Sequence, residues 1–356
     1  MKAGDEQKAL ELRVQDFIAA SVGRDFDQRV FAPLALAIHA FQIGHNEPYA
    51  RYCRALGAPD PLGDWRAIPG VPQQAFKHAE LRTFPGAETV ATFHTSGTTG
   101  EGPGRHHFRS LALYERSVRA GWRHAGLPLN RPQWLMIPPP EDALHSSLSH
   151  MMGALGDSAT GQIWFARHAD GVMRIDLDTL IAAAGNAREP MVLFGTALSF
   201  LHVFERLGSR SIQLPLGSIA FETGGYKGSG RTLEKADLYA EFTARLGVPA
   251  ESIWNEYGMT ELSSQCYTRG LSAPHQPPPW LRALVIDPES GAEVPVGGTG
   301  VLKLIDLANV GSVVGIQTQD LAVRREGGAF GLLGCDPAAL PRGCSRAADE
   351  MLSVQS

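Results

Sequence analysis

Six consecutive residues, Thr95 to Gly100, consist only of hydroxyl side chains and glycines, in the order TSGTTG. Glycine permits positive φ values, so successive backbone N–H groups in such a loop can point towards one centre and bind an anion. The hydroxyls add further donors, which makes the segment suited to phosphate oxygens. The same composition is also found in exposed turns whose Ser and Thr side chains bond to their own backbone.

A second group of chemically versatile side chains follows an apolar strand start in SIWNEYGMTELSSQCY. Tyr257 and Gly258 are followed closely by Thr260 and Glu261. An aromatic face can stack on a base, a hydroxyl can bond a phosphate, and a carboxylate oxygen suits Mg²⁺. Taken alone, this segment could equally be a surface turn.

A third segment, GGYKGSGRT, has the glycine spacing of a phosphate-binding P-loop between a strand and a helix. Gly225 and Gly230 stand in the glycine positions, and Thr232 ends the motif. Arg231 replaces the lysine, which normally acts as a compact charge inside the phosphate nest. A P-loop NTPase therefore stays open as an alternative function.

The chain has 356 residues, of which 44% are hydrophobic and 19% charged, with a formal net charge of −5. This composition is typical of a globular protein, and the acidic balance argues against a general nucleic-acid binder. The first residues are polar, and no apolar run is long enough to cross a bilayer. We expect a cytoplasmic protein without stable membrane insertion and without a nucleic-acid partner.

The elements that must position these residues change along the chain. Apolar residues recur with helical spacing at first, while further on strands such as MVLFGT and GSIAFETGG alternate with helices. Such alternation favours an α/β fold with mostly parallel strands. The expected regions are a helical region over 1–85, an α/β nucleotide-binding core over 86–273, a β-rich subdomain over 274–335 and a short tail over 336–356.

TSGTTG and YGMTE, with FETGG between them and TQDL downstream, together resemble the core motifs of the adenylate-forming superfamily of acyl and aryl ligases. The segments IPGVPQQAFKHAEL, TSGTTG…GRHHF and RGCSRAADEML are similar to the acyl-protein synthetase (LuxE) family, and the likeness covers most of the chain. The resemblance implies the N-terminal domain fold of adenylate-forming enzymes, with parallel-rich sheets flanked by helices and a β-rich subdomain. It also implies that the C-terminal domain of ordinary members is largely absent.

By this resemblance, the protein activates a carboxylic acid, most simply a fatty acid, as an acyl-adenylate and transfers the acyl group to a protein thiol. ATP and Mg²⁺ are the implied cofactors, and an acyl-accepting reductase is the implied partner. Glu261 would bind Mg²⁺, Thr260 would contact the α-phosphate and Asp320 the ribose hydroxyls. The remaining nucleotide contacts would come from the phosphate loop (Thr95, Ser96, Gly97, Thr98, Thr99, Gly100) and the adenine side (Gly224, Gly225, Tyr257, Gly258).

In that family a cysteine near the C-terminus carries the acyl group, and here Cys344 is the candidate. It lies between Arg342 and Arg346 at the predicted start of a helix, and both features favour the thiolate. The alternative is an ordinary surface cysteine in a frayed tail. Cys53 and Cys266 are expected to be buried structural residues.

Three positions depart from the superfamily pattern. Cys335 stands where the hinge arginine is usual, and Gln319 replaces the glycine of the ribose motif. The lysine that commonly follows the phosphate loop is missing, and Arg105 is the expected substitute. Because of these departures, a degenerate, inactive homologue that still binds nucleotide stays open as an alternative function.

A candidate wall of the acyl pocket is the helix EDALHSSLSHMMGALG, on which His150 is the candidate substrate contact, and AFQIGHNEPYARY could equally form a helical wall. A satisfied interior histidine is the more common role for such a residue. The sequence does not distinguish a fatty chain from an aryl acid, so an aryl-acid adenylating enzyme of a secondary-metabolite pathway also stays open.

Overall fold

The computed structural model describes residues 3–95, 102–169, 172–224, 233–335 and 351. Two compact units make up the chain, and each is built from separated segments. Unit 1 comprises Met1–Ala125, Met259–Gln265 and Pro274–Ser356, and unit 2 comprises Gly126–Gly258 and Cys266–Ala273.

Helices are spread over both units, and several begin at a side chain that caps the first turn. Asp27 and Asn46 each accept a hydrogen bond from a backbone N–H of the helix that follows. Among the helices in the described part of the chain, none is both long and apolar enough to cross a membrane. The α-helices are α1 (Ala3–Ser21), α2 (Gln28–His45), α3 (Glu47–Ala55), α4 (Ala75–His78), α5 (Ala112–His124), α6 (Ser147–Gly156), α7 (Leu177–Asn186), α8 (Ala197–Leu207) and α9 (Lys235–Leu246).

The strands fall into two larger sheets and two hairpins. They are β1 (Val71–Pro72), β2 (Ala91–His94), β3 (Arg105–Phe108), β4 (Gln133–Leu135), β5 (Gln162–Trp164), β6 (Ala166–Ala169), β7 (Val172–Ile175), β8 (Val192–Thr196), β9 (Ile219–Thr223), β10 (Ile253–Tyr257), β11 (Cys266–Arg269), β12 (Leu281–Ile286), β13 (Thr299–Asp306), β14 (Gly315–Arg324) and β15 (Phe330–Cys335).

In unit 1 the N-terminal helices pack on a mixed sheet. The sheet runs β1-β14-β13-β12, and β15 also pairs with β14. Val14 and Ile18 on α1 and Phe31 on α2 share one buried cluster with Leu284 and Ile305 of the sheet. The four-residue spacing on α1 places its apolar residues on one face of the helix, which explains why it packs there. β2 and β3 form a separate antiparallel hairpin in this unit.

Unit 2 contains a six-stranded sheet in the order β11-β10-β9-β8-β4-β5. Every neighbouring pair is parallel except β10 with β11. The first four residues of β8 are all buried, which is typical of a central parallel strand covered on both faces. The expected α/β core with mostly parallel strands is confirmed in this unit.

Candidate active site

The two strands that flank the TSGTTG segment close the base of its loop in unit 1. His94 on β2 pairs with Arg105 on β3. Directly beyond this pair, the Thr95 N–H donates to the Gly104 carbonyl at 3.0 Å, and the Gly104 N–H donates to Thr95 Oγ1 at 2.7 Å. The predicted loop residues Ser96, Gly97, Thr98, Thr99 and Gly100 lie outside the described residues.

Thr260 lies against this hairpin. His106, the second residue of β3, has its Nδ1 atom 2.9 Å from the Thr260 carbonyl oxygen. Because a carbonyl only accepts, Nδ1 carries the proton and donates. Thr260 Oγ1 in turn donates to the His94 carbonyl at 3.4 Å, a long contact. Unit 1 therefore brings the base of the predicted phosphate loop together with the predicted Thr260–Glu261 segment.

The backbone around Glu261 is held by side chains from far along the sequence. The Glu261 side chain is buried, and Asn309 Nδ2 donates to its carbonyl oxygen at 2.9 Å. The Asp306 carboxylate accepts from the Ser263 N–H at 2.9 Å and from Ser264 Oγ at 2.7 Å. Burial raises the pKa of Asp306 to about 6, although these hydrogen bonds oppose the rise. The segment after Thr260 is thus fixed on both its backbone and its side chains.

His106 is a buried residue to which no sequence motif assigns a role. Its ring packs against Phe76, with centroids 5.7 Å apart, and against Phe108, at 4.2 Å. Burial lowers the pKa of His106 to about 4, so the ring is neutral near pH 7. On β3, His106 and Phe108 are buried whereas Arg105 and His107 are not, a period-two pattern that the residue types of RHHF do not show.

The other predicted residues of unit 1 lie on strands. Arg105 is exposed at the start of β3. Asp320 is half-buried in β14, its N–H donates to Thr318 Oγ1 at 3.1 Å, and it pairs in register with Cys335 of β15. Cys335, at the departure from the usual hinge arginine, is exposed.

The predicted adenine-side residues of unit 2 lie at one edge of its sheet. β9 and β10 are parallel neighbours with Thr223 opposite Glu256, so both strands end at the same edge. Gly224 follows β9 with φ +68°, a conformation that favours glycine. Tyr257 ends β10 with its side chain buried, and Gly258 after it is exposed. Gly225 lies outside the described residues.

Two buried carboxyl groups near that edge, those of Glu222 and Glu256, were not predicted as site residues from the sequence. Glu222 accepts from Asn255 Nδ2 at 2.6 Å and from the Tyr239 hydroxyl at 3.5 Å. Glu256 accepts from the Thr223 hydroxyl. Burial raises the pKa of each carboxyl to about 7. A charged residue inside an otherwise apolar strand, as in IAFET, is the signal that could have indicated them.

Some of the remaining predicted residues lie within the described part of the chain, and others lie outside it. His150 is half-buried on α6 in unit 2. Cys53 and Cys266 are both buried, as expected, and burial raises the pKa of the Cys53 thiol to about 12. Cys344 and the P-loop-like residues 225–232 lie outside the described residues.

The predicted protein ligand of Mg²⁺ is the carboxylate of Glu261. Within residues 3–335, apart from the gaps given above, no group of three or more His, Cys, Asp or Glu side chains could hold a metal. Mg²⁺ commonly binds through one or two carboxylates together with substrate phosphates and waters. The buried Glu261 carboxyl with the adjacent Thr260 hydroxyl fits a magnesium ion that arrives with ATP.

Comparison with known proteins gives one related sequence and many related folds. No family model matches the chain. The chain is 23% identical over 312 residues to the long-chain-fatty-acid–luciferin-component ligase of Aliivibrio fischeri, a match that covers 80% of this chain and 77% of that protein.

Among solved structures, an open conformation of 2-hydroxyisobutyryl-CoA ligase in complex with 2-HIB-AMP and CoA matches with a TM-score of 0.58 and 17% identity. That match covers 94% of this chain and 71% of the ligase. ATP-bound MatB from Rhodopseudomonas palustris matches with a TM-score of 0.51 and 19% identity over 71% of this chain. The chain spans about half of MatB, 49%. At these identities the structural likeness shows the fold alone, and it confirms the fold class predicted from the motifs.

Proposed function

We propose that this chain is an ATP-dependent ligase that activates a carboxylic acid and transfers the acyl group to a protein thiol. The chain has the adenylate-forming fold and resembles the acyl-protein synthetase family. The observation that carries the proposal is the hydrogen bond between His106, at the base of the TSGTTG loop, and the Thr260 carbonyl. It brings two motifs together, because His106 and Thr260 are 154 positions apart in the sequence. Related folds have been solved with ATP and with an acyl-adenylate, which supports the same chemistry here.

In the first step, a carboxylate oxygen of the acid attacks the α-phosphorus of ATP, and the bond to the bridging oxygen of pyrophosphate breaks. The products are acyl-adenylate and pyrophosphate. Glu261 and Thr260 would hold Mg²⁺ and the α-phosphate, and the metal would stabilise the negative charge that develops there. The loop of residues 95–100 would donate hydrogen bonds to the phosphates, with Arg105 as the nearby cation.

The nucleoside contacts are proposed from the resemblance and from position. Gly224 follows β9 and Tyr257 ends β10, at the carboxyl ends of two parallel strands, where α/β sheets commonly bind nucleotides. With Gly225 and Gly258 they would contact adenine. Asp320 would accept hydrogen bonds from the ribose hydroxyls.

In the second step, the Cys344 thiolate would attack the acyl carbon of the mixed anhydride. The carbon–oxygen bond to the phosphate would break and AMP would leave, so the acyl group becomes a thioester. A long-chain fatty acid is the proposed substrate class because the related Aliivibrio fischeri protein is named as a long-chain-fatty-acid ligase. His150 is the proposed acyl-side contact, and a reductase is the proposed acceptor of the acyl group.

Acid-dependent exchange of labelled pyrophosphate into ATP tests the first step. We expect exchange with at least one carboxylic acid in a panel of fatty and aryl acids. Glu261→Gln should lower the exchange rate on the order of 100-fold, because it removes a group that acts on the developing phosphate charge. Glu326→Gln removes an exposed carboxylate of the same unit and serves as the matched control. Equal rates in the two variants would contradict the role of Glu261.

Intact mass spectrometry tests the second step. Wild-type protein incubated with ATP, Mg²⁺ and an accepted acid should gain one acyl mass that hydroxylamine removes. Cys344→Ser should keep pyrophosphate exchange but lose the hydroxylamine-labile adduct, and Cys335→Ser serves as the control. An adduct that persists in Cys344→Ser would remove Cys344 from the mechanism.

A further inference from the structure

We infer that His106 is a positioning residue that clamps the Thr260–Glu261 peptide onto the hairpin of the phosphate loop and so sets MgATP affinity. The inference rests on the proposed function for the identity of the nucleotide. It goes beyond that function because no motif assigns His106 a role. His106 lies on β3, only two residues beyond Gly104, whose hydrogen bonds with Thr95 close the loop.

The hydrogen bond of His106 acts on a peptide plane that both predicted ligand residues share. The Thr260 carbonyl oxygen and the Glu261 nitrogen belong to one planar peptide group. Holding that oxygen in place therefore also fixes the direction of the bond from the Glu261 nitrogen to its α-carbon. Asn309 Nδ2 donates to the next carbonyl, that of Glu261, at 2.9 Å. Two successive peptide groups are thus held by side chains, one on each side of the Glu261 α-carbon.

The surroundings of His106 allow only one ring nitrogen, Nδ1, to donate this hydrogen bond. The imidazole is 2% exposed and packs against Phe76 and Phe108, so the ring has little freedom to turn. Since the Thr260 carbonyl must accept, the neutral ring carries its proton on Nδ1. A donor at the position of Nε2 would not reach the same oxygen without moving the backbone.

Two substitutions distinguish the donor position from the mere presence of a polar side chain. In H106N the side-chain amide nitrogen takes the place of Nδ1, whereas in H106Q it takes the place of Nε2. We expect H106N to retain MgATP affinity within about threefold of wild type, and H106Q to weaken it about 10- to 100-fold, as misplacement of a binding group by about 1 Å does. Isothermal titration of each protein with MgATP, in the absence of any acid, measures this directly.

Equal MgATP affinities in H106N and H106Q would overturn the inference, as would losses in both that follow their melting temperatures. Nitrogen NMR of ¹⁵N-histidine-labelled wild type provides a readout that needs no binding measurement. Protonation of Nδ1 in His106, whose signals are the ones absent from H106N, supports the clamp, and protonation of Nε2 contradicts it. A contrast between the variants in MgATP binding, together with no acid-dependent pyrophosphate exchange in wild type, would reject the proposed ligase activity while leaving the clamp intact.

Discussion

Glu256 makes the stability of unit 2 depend on pH in a direction opposite to that of an ordinary surface carboxylate. Its side chain on β10 is 7% exposed and accepts a hydrogen bond from Thr223. Burial raises its pKa from the usual 4.5 to about 7. The folded state therefore binds the proton more tightly than the unfolded state. The resulting stabilisation is complete below pH 4.5 and is lost as the pH rises through 7.

The size of this contribution follows from the two pKa values. One pKa unit corresponds to 1.36 kcal/mol, so a rise from 4.5 to about 7 corresponds to about 3 kcal/mol in the free energy of unfolding. Glu256→Gln keeps an acceptor oxygen for Thr223 but cannot ionise. We expect the variant to gain about 2 to 3 kcal/mol relative to wild type between pH 4.5 and 7.5.

Urea unfolding of both proteins at a series of pH values measures the difference, and hydrogen exchange in peptides that cover β9 and β10 locates it in unit 2. Glu189→Gln removes an exposed carboxylate of the same unit and is the matched control. A free-energy difference between wild type and Glu256→Gln that is the same at every pH would refute the reasoning. A gain at low pH instead of high pH would refute its sign.

Two further substitutions test residues that hold the backbone near the candidate site in place. Gln42→Leu should destabilise the protein by about 2 to 4 kcal/mol in urea unfolding. Buried Gln42 donates to the carbonyls of Asn309 and Val310 and accepts from the N–H of Val314, and leucine removes all three hydrogen bonds, although the Asn309 carbonyl keeps the one from the Ser312 N–H. A loss below about 0.5 kcal/mol, as for a surface change, would contradict this. Gly104→Ala should weaken MgATP binding about 10-fold while the fold is retained, because the added Cβ would lie 3.2 Å from the Thr95 side chain at the base of the loop. An unchanged affinity in titration calorimetry would show that the hydrogen bonds between Thr95 and Gly104 do not affect MgATP binding.

Much of the fold could be predicted because its strands carry local signals. Buried apolar runs followed by helical spacing identified β8 and β9 and their parallel arrangement. β3 was missed, because RHHF has no apolar run and its pairing with β2 is a property of the hairpin as a whole. The chain segment 86–125 therefore contributes a hairpin and a helix to unit 1 rather than strands to the parallel sheet.

The same distinction holds for the site. Motif residues such as Thr260 and Glu261 could be singled out from type and order alone. The residues that fix them could not: Asn309 reaches Glu261 across 48 positions, and Asp306 reaches Ser263 across 43. Such contacts are set by how the β13–β14 connection folds back, and no local pattern in the sequence records them.

The most direct test of the proposed chemistry is the identity of the nucleotide product. Wild-type protein should be incubated with α-labelled and, separately, γ-labelled ATP over a panel of carboxylic acids, and the products separated by chromatography. The acyl-adenylate reaction predicts AMP and pyrophosphate that appear only with an accepted acid and fall in Glu261→Gln. Release of ADP and inorganic phosphate independent of any acid, or nucleotide binding without turnover of either label, would contradict it.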